Sequence, residues 1–208
     1  KLASYAYADA WPAQWRIEAT PTEGNVFWGF GMSGGYGGYR YPDAQNGVWL
    51  TPSPSADEQI YAWYADDGAV VWASPDGDDD DARANGGSKD HPYRTLQAAV
   101  DSFGETVSRP FVCAKKGEYK EGETFGEYAT NRLYLTRNVR VVAVDGAGET
   151  AIVGRWGSLG TDHCGTDAIR CVAAAKNVTA SLQGFTLKDG AGPGTGNYGG
   201  GGFMGYQN

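Results

Sequence analysis

The chain has 208 residues and a formal net charge of −8, with 25 Asp and Glu against 17 Lys and Arg. No basic stripe is available to neutralise phosphates, which excludes nucleic acid as a partner, and no apolar run is long enough for a helical membrane span. Glycine, at 32 residues, is about twice its usual share, and aromatic residues reach 13%, so the composition points to a turn-rich, mainly β chain of one large or two modest domains.

The sequence begins at Lys1 with neither an initiator Met nor a signal peptide and stops at Asn208 just after a glycine cluster. The expectation is a mature product or a piece of a longer exported polypeptide whose targeting signal lay upstream. In chain order, Trp15 to Ala19 reads as a strand, and Thr20-Pro21-Thr22-Glu23-Gly24-Asn25 as the turn after it. Val26 to Phe30 is a second strand, followed by a Gly/Tyr loop that carries Tyr36, Tyr39 and Tyr41. Val48 to Thr51 and Ile60 to Ala65 complete four short β segments bounded by Pro, Gly and Asp turns, which predicts a small β-rich module over residues 1–68. Its strings IEATPTEGNVFWGF and LTPSPSADEQIYAWYADDG resemble the Listeria–Bacteroides repeat, the B-repeat module of bacterial surface proteins. Phe30 stands where that family usually has Trp, and Trp63-Tyr64 replaces its simpler closing strand. The resemblance implies a spacer between a cell surface and a distal domain. Trp28 and Trp49 are expected in the core of the module, whereas Tyr36, Tyr39 and Tyr41 are placed to contact a sugar or a neighbouring subunit.

After the turn Asp66-Asp67-Gly68, Val70 to Ala73 predicts a strand, and a turn-rich acidic loop follows with Asp76, Asp78, Asp79, Asp80 and Asp81. Leu96, Ala99, Val100 and Phe103 then fall on one helical face. Thr95 is placed to cap that helix, and Pro92 keeps the residue before it extended. A short amphipathic helix ahead of valine-rich segments is suited to cover the open edge of a stacked β structure. The order of strand, Ser74-Pro75-Asp76-Gly77, acidic loop, Gly87-Ser88-Lys89-Asp90, Pro92-Tyr93 and Thr95-Leu96-Gln97 resembles the opening segment of right-handed parallel β-helix proteins, the pectate-lyase-like solenoids of bacterial secreted and surface proteins. The resemblance implies an N-terminal cap and the first coils of such a solenoid over residues 69–208. It implies no single activity, because the fold carries lyases, hydrolases, tailspikes and adhesin stalks alike.

Pro110 to Tyr119 reads as a first coil, a strand followed by a Gly-x-Tyr turn, and the polar residues 120–131 as a loop leaving it. Leu133 to Gly146 and Ile169 to Leu187 share the order strand, polar pair, Asn-Val, strand, glycine turn. Aligning Asn138 with Asn177 gives a spacing of 39, a coil of a little over twenty residues on the order of known solenoid repeats plus an insertion near 155–167. Such repeats bury their apolar faces only by stacking. The tail GAGPGTGNYGGGGFMGYQN resembles the glycine-rich turns that precede further coils in these proteins.

The aspartates at 76 and 78 to 81 offer a flexible set of carboxylate oxygens of the kind Ca2+ takes, but without EF-hand spacing; the competing reading is a solvated acidic loop. Cys164 and Cys171, seven residues apart, either close a disulfide in an oxidising compartment or remain thiols, and Cys113 reads as a buried thiol. His91 and His163 lie in different loops, outside any metal or nucleophile motif. Arg137, Arg140, Arg170, Lys176 and Lys188, with Asp145 and Asp189 nearby, form no lyase signature. Asn177-Val178-Thr179 has the form of a glycosylation sequon, although a coil turn explains the asparagine as well. No catalytic residue or cofactor other than Ca2+ is therefore assigned. The expected function is structural and adhesive, a solenoid stalk with contact loops in an exported bacterial surface or extracellular protein. Its partners would be surface polysaccharide or neighbouring subunits. The alternatives are a polysaccharide lyase or hydrolase whose active site lies on later coils, and a subunit of an extracellular fibre.

Overall fold

Branched and aromatic side chains set between Pro, Gly and Asp turns favour short extended segments, and strands dominate both halves of the chain. The computed structural model describes residues 15–20, 25–33, 38–40, 47–50, 59–66, 70–104, 107, 110–126, 128–159, 163–194 and 201–205. Two compact units divide at Gly68, residues 1–68 and 69–208.

In the first unit, β1 (Trp15–Glu18) pairs antiparallel with β4 (Gly47–Leu50). Strand β2 (Asn25–Ser33) lies between β3 (Gly38–Arg40) and β5 (Gln59–Asp66), antiparallel to both. The β2–β5 register shifts between Phe27 and Gly29, a bulge that sharpens the local twist. Four of these strands coincide with predicted segments. Strand β3 forms within the predicted Gly/Tyr loop, where Tyr39 pairs with Gly31. Tyr36 and Tyr41 lie outside the described residues, and for Tyr39 only the backbone pairing is described.

The second unit opens with β6 (Val70–Ala73), α1 (Asp79–Ala84) and α2 (Leu96–Asp101). Three successive coils then each contribute one strand to each of three parallel sheets. The first coil has β7 (Phe111–Ala114), β8 (Gly117–Tyr119) and β10 (Ala129–Leu135). The second has β11 (Arg140–Ala143), β12 (Thr150–Val153) and β13 (Ile169–Ala174). The third has β14 (Ser181–Gln183), β15 (Thr186–Lys188) and β16 (Phe203–Gly205). The resulting sheet orders are β6-β7-β11-β14, β8-β12-β15 and β10-β13-β16. A short β9 (Thr124–Gly126) is added antiparallel to the edge of β10. This sequential stacking is of the solenoid type.

The registers align apolar residues into ladders through the interior. Val71, Val112, Val141 and Leu182 form one; Tyr119, Ile152 and Leu187 form a second; Leu133, Val172 and Phe203 form a third. Val112, Val141, Ile152, Leu133 and Val172 are fully buried. The offset from Leu133 to Val172 equals the 39-residue spacing read from Asn138 and Asn177. Those asparagines mark a turn that ties one coil to the next. Asn138 Oδ1 accepts the Thr179 amide at 2.6 Å, and Asn177 takes a left-handed φ of 66°, a conformation asparagine tolerates better than most residues.

Two contacts pass over the middle coil altogether. Lys188 Nζ on the third coil donates to Glu118 Oε1 on the first at 2.5 Å. The Phe185 ring meets Tyr119 edge-on, with centroids 6.3 Å apart. The Tyr119 hydroxyl lies 2.9 Å from Ala73 O and 2.8 Å from Lys115 O, and burial pushes its pKa well above the usual phenol range.

Helix α2 closes one end of the ladders. The Thr95 hydroxyl accepts the Ala98 amide at 3.1 Å as N-cap, and Leu96, Ala99 and Val100 are buried in the same cluster as the first-coil side chains. Gln97, on the same helix, treats β10 as a neighbouring strand would. Its Oε1 accepts the Tyr134 N–H at 2.7 Å, and its Nε2 donates to Tyr134 O at 3.3 Å and to both Asp101 oxygens. Arg137 from the turn after β10 reaches back to the Phe103 and Gly104 carbonyls.

Two stretches predicted as loop are ordered differently. The acidic run is not an open loop, because Asp78 caps α1 and Asp79, Asp80 and Asp81 occupy its first turn, where the helix dipole favours carboxylates. Within residues 120–131, β9 and the start of β10 form a hairpin instead of a free loop. Gly126 allows it, since a Cβ there would stand 2.3 Å from the Tyr134 ring.

Candidate contact surface

The five aspartates do not converge on a common point. Asp78 Oδ1 accepts the Asp80 and Asp81 amides at 2.9 and 3.0 Å, and these bonds, from Asp81 first, hold its carboxyl below the ordinary range. Asp79 accepts the Arg94 and Thr95 amides and the Thr95 hydroxyl, so it pins the start of α2 to the start of α1. Asp80 pairs with Arg83 at 2.7 Å. Asp81 meets His91 Nδ1 at 2.7 Å and accepts the Asn85 side-chain amide. The Asp76 amide turns back to the Ser74 hydroxyl. Among the described residues no group of three or more His, Cys, Asp and Glu is arranged to hold a metal ion. The run works as caps and brackets for two short helices.

Cys113, Cys164 and Cys171 are thiols in the structure. Cys171 is fully buried in β13 and its Sγ donates to Lys188 O at 3.2 Å, which turns it toward the third coil. Burial raises the pKa of this thiol. Titration with a thiol reagent under non-reducing conditions is expected to count three thiols after unfolding, with Cys113 and Cys171 protected in the folded chain. A count of one after unfolding would establish the bridge.

The basic residues considered for lyase chemistry are spread through the scaffold. Arg137 binds backbone carbonyls, Lys188 is paired with Glu118, and Arg170 is buried within β13. Asp145 accepts the Lys116 amide, and Asp189 sits in a left-handed turn. They do not form one constellation.

The insertion between β12 and β13 is a hairpin, and it was not singled out from its sequence as a site. Arg155 and Ile169 exchange backbone bonds at its base, 3.0 and 2.9 Å, and the Gly157 and Leu159 amides donate to the His163 and Cys164 carbonyls at 2.6 and 2.8 Å. Gly157 is required by this approach, since a Cβ there would stand 2.3 Å from Cys164 O. The Ser158 amide donates to Asp167 Oδ1 at 3.0 Å, which draws the Asp167 carboxyl below its ordinary pKa.

On this hairpin the Trp156 and His163 rings stack, with centroids 4.3 Å apart and planes 22° from parallel. His163 holds a left-handed φ of 54°, which costs a side chain with a Cβ about 1–2 kcal/mol. At the base, Glu123 Oε1 joins two guanidinium groups, Arg155 at 3.2 Å and Arg132 at 3.5 Å. Arg132 also donates to the Val153 and Gly122 carbonyls, and its burial lowers its pKa.

The large apolar side chains left exposed among the described residues are Phe125, Tyr128, Trp156, Leu159 and Phe203. All belong to the sheet of β9, β10, β13 and β16, to the β9–β10 turn, or to the hairpin feeding β13. The sequence signal for Trp156 was an aromatic residue inside a polar insertion; its partner His163 gave none. No protein-family model, curated protein or solved structure matches this chain.

Proposed function

We propose that the chain is a structural and adhesive part of an exported bacterial surface or extracellular protein. In this reading residues 69–208 are the capped start of a right-handed parallel β-helix that serves as a stalk, and residues 1–68 are a B-repeat-like spacer. The observation that carries it is the strand-by-strand register of three coils over three parallel sheets. It is a scaffold in which each coil braces the next. Exposed aromatic residues gathered along one sheet and its hairpins give such a scaffold a side for contact.

The test is to pass the purified chain over immobilised surface polysaccharides and then measure the length of the polymer. Retention with the polymer intact is the expected result. Shortened chains, or new unsaturated sugar ends, would replace the adhesive reading with lyase or hydrolase activity.

A further inference from the structure

We propose that the Trp156–His163 hairpin is a binding site for a neutral pyranose unit of a polysaccharide, with Trp156 as its stacking platform. The proposal rests on the adhesive reading above and gives it a place and a ligand class. Trp156 is 53% exposed although its indole is stacked on His163, so about half of the residue remains available to a ligand. An exposed indole face is suited to the C–H face of a sugar ring, and its N–H to a sugar hydroxyl. Because the imidazole lies nearly parallel beneath it, the nitrogens of both rings sit at the rim of one two-layered platform. Neither ring uses a nitrogen in a hydrogen bond among the described residues.

Three observations separate this platform from a surface aromatic left by chance. The hairpin arms are locked by four backbone hydrogen bonds and by Asp167 on the Ser158 amide. A ring held on such arms loses little freedom when a ligand binds. His163 adopts a strained left-handed backbone to bring its ring under the indole; strain of this kind collects at ligand sites. Four polar side chains, Arg155, Ser158, His163 and Asp167, share the two arms with the exposed Leu159, a mixed setting unlike the contiguous apolar centre of a protein-docking patch.

Charge decides for a neutral sugar. The cations nearest in the fold are already committed: Arg155 to Glu123 and the Asp167 carbonyl, Arg132 to Glu123 and two backbone carbonyls. Besides His163 the hairpin carries no cation other than Arg155, against the two carboxylates Asp162 and Asp167 in its sequence, and the net charge of −8 repels a polyanion.

The test is native electrophoresis of the whole chain in gels containing dextran, galactomannan or xyloglucan, with polygalacturonate as the acidic comparison. Retardation by at least one neutral polymer is expected. Trp156→Ala should weaken it about tenfold, a change of one decade in Kd, Trp156→Phe should keep part of it, and Phe203→Ala should leave it unchanged. Equal retardation of wild type and Trp156→Ala overturns the site while the adhesive reading stands. Passage of the wild type unretarded through every gel overturns the sugar site and leaves the adhesive reading to its own test on surface polysaccharides. Retention by polygalacturonate alone overturns the ligand class. Retention at Trp156 with the polymer shortened keeps the sugar site and overturns the adhesive reading. Self-association that is lost in Trp156→Ala, without binding to any polymer, makes the hairpin a protein interface and overturns the proposal. The melting profile of Trp156→Ala should match wild type, since a half-exposed ring on a hairpin adds little to the core.

Discussion

Replacing Leu133 by alanine is expected to lower the unfolding free energy by about 2–5 kcal/mol, the range for a fully buried leucine. Leu133 is wholly buried, registered on Val172 of the next coil, and it shares its cluster with Leu96 and Val100 of α2. The truncation therefore opens a cavity where the cap, the first coil and the second coil meet. Such a site collapses poorly, because the backbone on one side is held by a parallel ladder and on the other by a capped helix. Leu133→Met, which nearly conserves volume, should cost less than about 1.5 kcal/mol. Urea unfolding of both variants checks the pair, with the slope of the transition unchanged. A loss in the alanine variant below that of the methionine variant would contradict the ladder.

Gln97→Ala should cost about 1–3 kcal/mol, although it removes no apolar contact of consequence. The side chain supplies an acceptor to the Tyr134 N–H and a donor to its carbonyl, so both backbone groups of an edge strand lose these bonds together. Water replaces part of that loss, since the site is only partly buried. Gln97→Glu separates the two halves of the interaction. It keeps the acceptor for the Tyr134 N–H, removes the donor, and brings a second carboxylate against Asp101, which Gln97 now contacts at 3.0 and 3.1 Å. At neutral pH this variant should be at least as destabilised as the alanine one, and it should recover on acidification as the carboxyl pair takes up a proton. Urea midpoints at the two pH values give the comparison. Equal stability of the wild type and both variants would mean that Gln97 does not seal the edge.

Periodic signals were read well from the sequence, and long-range polar bonds were not. The helix over Leu96–Asp101 was legible because its apolar spacing and the Thr95 cap are local. The 39-residue offset was legible because turn and strand chemistry repeat together around Asn138 and Asn177. Helix α1 was missed because a run of aspartates resembles a loop until Asp78 is recognised as the cap and the others as its first turn. Strand β9 was missed because its pairing depends on Gly126 making room for Tyr134, eight residues away. Gln97 reads as an ordinary polar helix position; only the fold reveals that it faces a strand edge. The Trp156–His163 stack requires a left-handed backbone at His163, and composition gives no sign of that.

The two contacts that bypass the middle coil bear on how the scaffold comes apart. In an ideal stack each repeat senses only its neighbours, so repeats can melt or peel away singly. Here Lys188 holds Glu118 and Phe185 touches Tyr119, from the third coil to the first. The third coil cannot leave without disturbing the first, and the cooperative unit becomes the triplet. Under mechanical load such a segment would yield in one step of three coils rather than three steps of one.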